Sequence, residues 1–148
     1  MTLFRLSCVA AAAALLVACG GSDDSVRGEL IDPPAVVTTL TAAQIDATTA
    51  ASGLQALSGK AKCDVKVVAL NYRTPGAKEG EMSNASGVML VPGGMCSSAA
   101  PLVANARGTE VLKTRTLANP QDGETFLLAA MYAAQGYAVV ATDYLGYA

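Results

Sequence analysis

The sequence predicts an α/β fold in which an antiparallel strand pair precedes a parallel βαβ unit. Pro101-Leu-Val-Ala-Asn-Ala106 and Tyr137-Ala-Val-Val-Ala-Thr-Asp143 are short, almost continuously apolar runs, the pattern of strands covered on both faces, as in parallel sheets. Glu124 to Gln135 lies between them as a helical stretch that Gly136 stops, and parallel strands need a crossover of that kind. Upstream, the β-branched runs Val65 to Tyr72 and Ala85 to Val91 flank Thr74-Pro-Gly-Ala-Lys-Glu-Gly80, whose Pro and Gly chemistry turns a chain back on itself. In an open α/β sheet, ligands sit at the carboxyl ends of the parallel strands. Here those are Arg107-Gly108-Thr109 and Asp143-Tyr144-Leu145-Gly146.

With 148 residues, 52% of them apolar, the chain can bury a real core. A net charge of −2 gives no electrostatic footprint for nucleic acid. The chain has no histidine, the side chain that most often serves as general acid, general base or metal ligand. Neither a metal nor a cofactor is expected.

Residues 1–18 read as a signal segment rather than as fold. Arg5 precedes the apolar run Val9 to Val17, too short for the ~20 residues of a membrane-spanning helix. Leu16-Val-Ala-Cys19, followed by Gly20, resembles the bacterial lipobox. The resemblance implies lipidation of Cys19, a membrane attachment through several acyl chains, and a place in the bacterial cell envelope, at the outer membrane. Residues 19–38, rich at first in Gly, Ser, Asp and Pro, are expected to be a flexible tether. With Cys8 removed and Cys19 lipidated, Cys63 and Cys96 remain in an oxidising compartment, which favours a disulfide between them. Two free buried thiols are the alternative, and a zinc site would lack ligands.

The folded part is expected over residues 39–148. Thr41-Ala-Ala-Gln44 fits a capping box and opens an Ala-rich helix that runs to about Ser58, with Gly59 as its stop. The hairpin follows, then a short loop containing Cys96, which lies at the same end of the hairpin as Cys63. After the 101–106 strand, residues 108–121 form a long loop with Lys113 and Arg115. Asn119-Pro120 or Asp122 begins the second helix, and Phe126, Ala130, Ala133 and Ala134, with Leu127 and Met131, give it a core-facing stripe.

Ser86-Gly-Val-Met-Leu-Val-Pro92, then Pro101-Leu-Val-Ala-Asn-Ala-Arg-Gly-Thr109, then Ala134-Gln-Gly-Tyr-Ala-Val-Val-Ala-Thr-Asp-Tyr-Leu-Gly146 resemble in order and spacing the amino-terminal part of an α/β-hydrolase, more narrowly the bacterial relatives of the secretory lipases. That resemblance implies acyl transfer by a serine on a Gly-x-Ser-x-Gly elbow, followed by an acid and a histidine. The chain has neither that motif nor a histidine. It is therefore expected to be the front part of a carboxylic ester hydrolase, acting on lipid or small ester substrates, and to be inactive alone.

The resemblance maps half of an oxyanion hole onto the backbone amides of Gly108 and Thr109; a plain turn glycine is the alternative at Gly108. Arg107 stands where the family commonly has His, a change expected to alter local charge and little else. Asp143 is expected to fix the following turn by Asx hydrogen bonding, with a catalytic acid as the alternative, and strand 137–142 to be left as an unprotected edge. The rival reading is a non-catalytic envelope lipoprotein that uses the same fold for structure or binding.

Overall fold

A computed structural model of the chain describes residues 27–147. The signal segment, Cys19 and the first part of the tether lie outside these residues. Among the described residues no helix is long and apolar enough to cross a membrane.

The architecture is one five-stranded mixed sheet with its helices packed on a shared core. In chain order the elements are β1 (Ala35–Leu40), α1 (Ala42–Ser52), α2 (Gln55–Ser58), β2 (Asp64–Pro75), β3 (Met82–Gly93), β4 (Leu102–Ala106), α3 (Gly123–Met131) and β5 (Ala138–Leu145), with single 3-10 turns at Gly94–Cys96 and Ala133–Gln135. The strand order is β1-β2-β3-β5-β4. β1, β2 and β3 pair antiparallel, β3 pairs antiparallel with β5, and β4 pairs parallel with β5.

The α/β class, the hairpin and the βαβ unit are as the residue patterns predict. Where the structure describes the expected tether, the chain is not free. Ala35–Leu40 is a strand paired with Val65–Ala69 of β2, and Leu30 forms a bridge to Tyr72, so the described part of 19–38 is tied to the sheet edge. Nor is strand 137–142 an edge. The crossover returns β5 between β3 and β4, where both of its sides are paired, and β4 and β1 form the edges.

α1 begins where the capping box places it: Gln44 N donates to Thr41 Oγ1 at 3.2 Å and Thr41 N to Gln44 Oε1 at 2.8 Å. It does not run through to Ser58. Gly53 takes a left-handed conformation (φ 77°) that ends α1, a conformation that costs glycine little, and a separate turn, α2, follows. Ile45 and Thr49 are the buried residues of α1. Asp64 Oδ1 accepts from Ala42 N at 2.8 Å, which docks the helix start on β2.

The core is built by period-two alternation meeting a small-residue helix. Val65 and Val67 of β2, Val88 and Leu90 of β3, and Val139 and Ala141 of β5 face Leu128, Ala129, Ala130, Ala133 and Ala134. Side chains two apart on a strand share a face, and the alanines let the helix sit close. Cys63 and Cys96 form the disulfide, with Cα atoms 5.5 Å apart. It closes the open end of the β2–β3 hairpin, next to the Asp64–Gly93 pair.

At the other end of the sheet the β3–β5 register slips. Gly87 faces Thr142 but Ser86 faces Tyr144, so Asp143 is an extra residue, a β-bulge. Gly87 permits this approach: a Cβ there would lie 2.6 Å from the carbonyl oxygen of Ala141. Gly87→Ala should therefore destabilise the chain by about 1–3 kcal/mol, the usual cost of overpacking, read as a lower urea midpoint. Gly108→Ala, where a Cβ would meet nothing within 4 Å, should leave the midpoint unchanged.

Candidate active site at the carboxyl ends of β4 and β5

β4 and β5 are parallel, so the loops that follow them lie side by side. Both run from an apolar strand into a charged residue, Arg107 after β4 and Asp143 near the end of β5. The two meet. Arg107 Nη1 donates to Asp143 Oδ1 at 3.0 Å, with side-chain exposures of 1% and 0%.

The Asp143 carboxylate takes three further hydrogen bonds: from Leu117 N on Oδ1 at 2.8 Å, and from Thr116 Oγ1 at 2.7 Å and Ser86 Oγ at 2.8 Å on Oδ2. One carboxylate thus joins β3, β5, the loop after β4 and the segment leading into α3. This corrects the sequence expectation, since the side chain is turned into the protein rather than onto the following turn. Arg107, likewise, does more than alter local charge. Its guanidinium is buried, and its Nε has no partner among the described residues.

The backbone of the same arginine is held from the other side. Tyr144 Oη donates to the Arg107 carbonyl at 2.7 Å, and Tyr147 Oη donates to the Glu110 carbonyl. Lys113 Nζ donates to the Gly146 carbonyl at 3.3 Å and lies 4.9 Å from the centre of the Tyr147 ring, within cation–π range.

Gly108 and Thr109 sit on this clamped loop, both exposed. Among the described residues neither amide donates to a protein acceptor. The structure therefore brings the two sequence-predicted residues to the end of the sheet where β5 also ends. Cys63 and Cys96 lie at the far end, and Cys19 lies outside the described residues. Among the described residues no group of three or more His, Cys, Asp or Glu side chains is placed to hold a metal ion.

An outer ion cluster fixes the rest of the loop. Arg115 reaches Glu110 Oε2 at 2.6 Å, Asp122 Oδ2 at 2.6 Å and Glu124 Oε2 at 3.4 Å. Asp122 is also the N-cap of α3, accepting from Glu124 N and Thr125 N. Hydrogen bonding to Arg115 holds the Asp122 carboxyl below its ordinary value and raises the Arg115 guanidinium further above its own. Glu110 is held down to about 2, first by the Arg115 side chain and then by the amide of Leu112, which with that of Val111 donates to its Oε1.

Sequence reasoning missed the Arg107–Asp143 pair and the tyrosine hydroxyls. A signal was present: two opposite charges, each at the carboxyl end of an apolar run, on strands the crossover makes parallel.

No protein-family model matches the chain, and no curated protein matches it. Solved structures do. A point mutant of the rice cell wall degrading esterase LipA from Xanthomonas oryzae superimposes with a TM-score of 0.68 at 37% identity, covering 81% of this chain and 30% of the esterase chain. Its ligand-bound form gives 0.67 at 37% identity with the same coverage. This chain is α/β-hydrolase-like and spans part of that fold. A hydrolase candidate from Legionella pneumophila, with a TM-score of 0.65 at 20% identity, shares the fold over 80% of this chain and 31% of its own. The chain thus spans about 30% of the length of the esterase it matches.

Within this α/β-hydrolase-like chain, two measurements check the electrostatics. Glu110 has a folded pKa below its ordinary 4.5, so the unfolded state binds more protons between about 4.5 and about 2, and stability rises with pH there. The contribution is present above pH 4.5 and is lost as pH falls toward 2. Tm should drop across that window, and Glu110→Gln should flatten the drop. The second measurement concerns the buried pair. Arg107→Met strands a buried carboxylate and should cost about 3–5 kcal/mol in urea denaturation. Adding Asp143→Leu should recover part of that loss, because the two sites interact directly.

Proposed function

We propose that this chain supplies the oxyanion loop of a serine carboxylic ester hydrolase, of lipase or esterase type, whose nucleophilic serine, acid and histidine lie outside residues 1–148. The observation that carries this reading is the pair of neighbouring amides, Gly108 and Thr109, without acceptors among the described residues, on a clamped loop at the carboxyl end of β4. When a serine oxygen adds to an ester carbonyl, the carbonyl oxygen gains negative charge. Backbone donors already aimed at that position stabilise it without reorganising, each by about 3–4 kcal/mol. Likeness to an esterase at 37% identity supports ester substrates. Arg107 turns its guanidinium inward onto Asp143, so this reading places the catalytic role on the backbone and not on that side chain.

The same reading puts the protein in the bacterial cell envelope, lipidated at Cys19, with lipid or small esters as substrates. Its motivation is Leu16-Val-Ala-Cys19 behind an apolar run. Mass spectrometry of membrane-extracted protein should find an acylated amino-terminal cysteine, and an unmodified soluble product would remove the anchor from the account.

The catalytic part is tested in a polypeptide extended by the reading frame beyond codon 148. Gly108→Pro, which deletes the N–H, should lower nitrophenyl-ester kcat by about 10²–10³-fold. Gly108→Ala keeps the N–H and should leave turnover near the parent's. Equal turnover in both variants would refute the oxyanion assignment.

A further inference from the structure

We infer that Tyr144 is the positioning residue for the Gly108 amide, an inference that rests on the oxyanion reading above. Among the described residues Tyr144 is the one non-glycine residue with positive φ, 67°. A side chain held in that region is strained, and such strain clusters at functional sites. The residue is 41% exposed, so core filling does not account for the strain. Among the described residues its hydroxyl has one partner, the carbonyl oxygen of Arg107, 2.7 Å away.

That carbonyl shares a peptide unit with the Gly108 N–H. The unit is planar and trans, with C=O and N–H pointing in opposite directions, and the chain has no cis bond among the described residues. Fixing the carbonyl on Tyr144 therefore directs the Gly108 N–H away from Tyr144. The guanidinium of Arg107, seated on Asp143, stops the residue from swinging about its side chain. Tyr147 provides the comparison. It grips the Glu110 carbonyl in the same way, but the N–H of that peptide, on Val111, is already spent on Glu110 Oε1 at 2.8 Å. Of the two tyrosine-held peptides, only the one gripped by Tyr144 keeps an N–H without an acceptor among the described residues.

The test is ¹⁵N relaxation on the full chain, which involves no ester and so fails or succeeds independently of the hydrolase reading. The Gly108 amide order parameter should be near ~0.85 in the parent and fall below ~0.6 in Tyr144→Phe. The Leu117 amide, bound to Asp143, should not change, and Tyr147→Phe should leave Gly108 ordered. An unchanged Gly108 in Tyr144→Phe, or an equal fall at Leu117, would overturn the assignment. Residual dipolar coupling of the parent Gly108 amide checks it without a variant: a coupling fitting a single vector opposed to the Arg107 carbonyl supports it, and one averaged to near zero refutes it. In the extended polypeptide, Tyr144→Phe should lower kcat roughly five- to tenfold with KM unchanged, the scale of one hydrogen bond. A raised KM at unchanged kcat would assign Tyr144 to substrate binding instead.

Discussion

The loops at the carboxyl ends of β4 and β5 depend on one buried carboxylate. Asp143 is fully enclosed and accepts four hydrogen bonds, one of them from an arginine that is itself buried. Removing two charges from water costs several kcal/mol per ion, and their attraction offsets this only when geometry is good and the remaining lone pairs are used. Both conditions hold at Asp143. A pair of this kind adds little net stability over apolar residues of the same size, so its value here lies in geometry. The donors come from Ser86 on β3, Arg107 after β4, and Thr116 and Leu117 before α3, elements far apart in the chain that one side chain makes a single unit. Leu117 is itself fully buried, and Thr125 Oγ1 donates to its carbonyl at 2.7 Å, which carries the constraint from the carboxylate into α3.

Much of the fold was legible because its signals are local. Val65 to Tyr72 and Ala85 to Val91 are β-branched around a Pro-Gly turn, and the two apolar runs flanking a small-residue helix describe a crossover. The misses are places where pairing partners decide. Ala35-Val-Val-Thr-Thr-Leu40 follows a Gly, Ser, Asp and Pro rich stretch and reads as its continuation; it becomes a strand because β2 offers an unpaired edge. The expectation that strand 137–142 is an edge fails for the same reason: adjacency in space is not written in the periodicity of β5. The break at Gly53 belongs to the opposite class, a local signal outweighed by the helical pattern around it.

The site divides along the same line. Gly108 and Thr109 were singled out because a glycine closes an apolar run at the end of a parallel strand and because the resemblance to the α/β-hydrolases implies an oxyanion role for that loop. Asp143 and Arg107 were each visible as charges but not as a pair, since 36 residues separate them and no period links them. Asx turns are the commoner use of an aspartate in such a place. The buried arginine opposite is what outweighs that expectation.

The β-bulge explains how one short stretch of β5 can hold both ends of Arg107. In a regular strand successive side chains point to opposite faces, so residues 143 and 144 could not serve the same neighbour from the same side. The extra residue at Asp143, opposite the Ser86–Gly87 step, breaks that alternation. It lets the carboxylate of Asp143 take the guanidinium while the hydroxyl of Tyr144 takes the carbonyl of the same arginine. The left-handed backbone at Tyr144 is the local cost of that geometry, and the absent side chain at Gly87 is its precondition, because a Cβ would press on the Ala141 carbonyl. Gly87, Asp143, Tyr144 and Arg107 therefore form one device. Each breaks a local rule of strand sequence or conformation, and each departure is intelligible only through the other three. Rule-breaking concentrated at one end of an otherwise regular sheet is where function is to be sought, and here that end carries the amides of Gly108 and Thr109, which have no acceptor among the described residues.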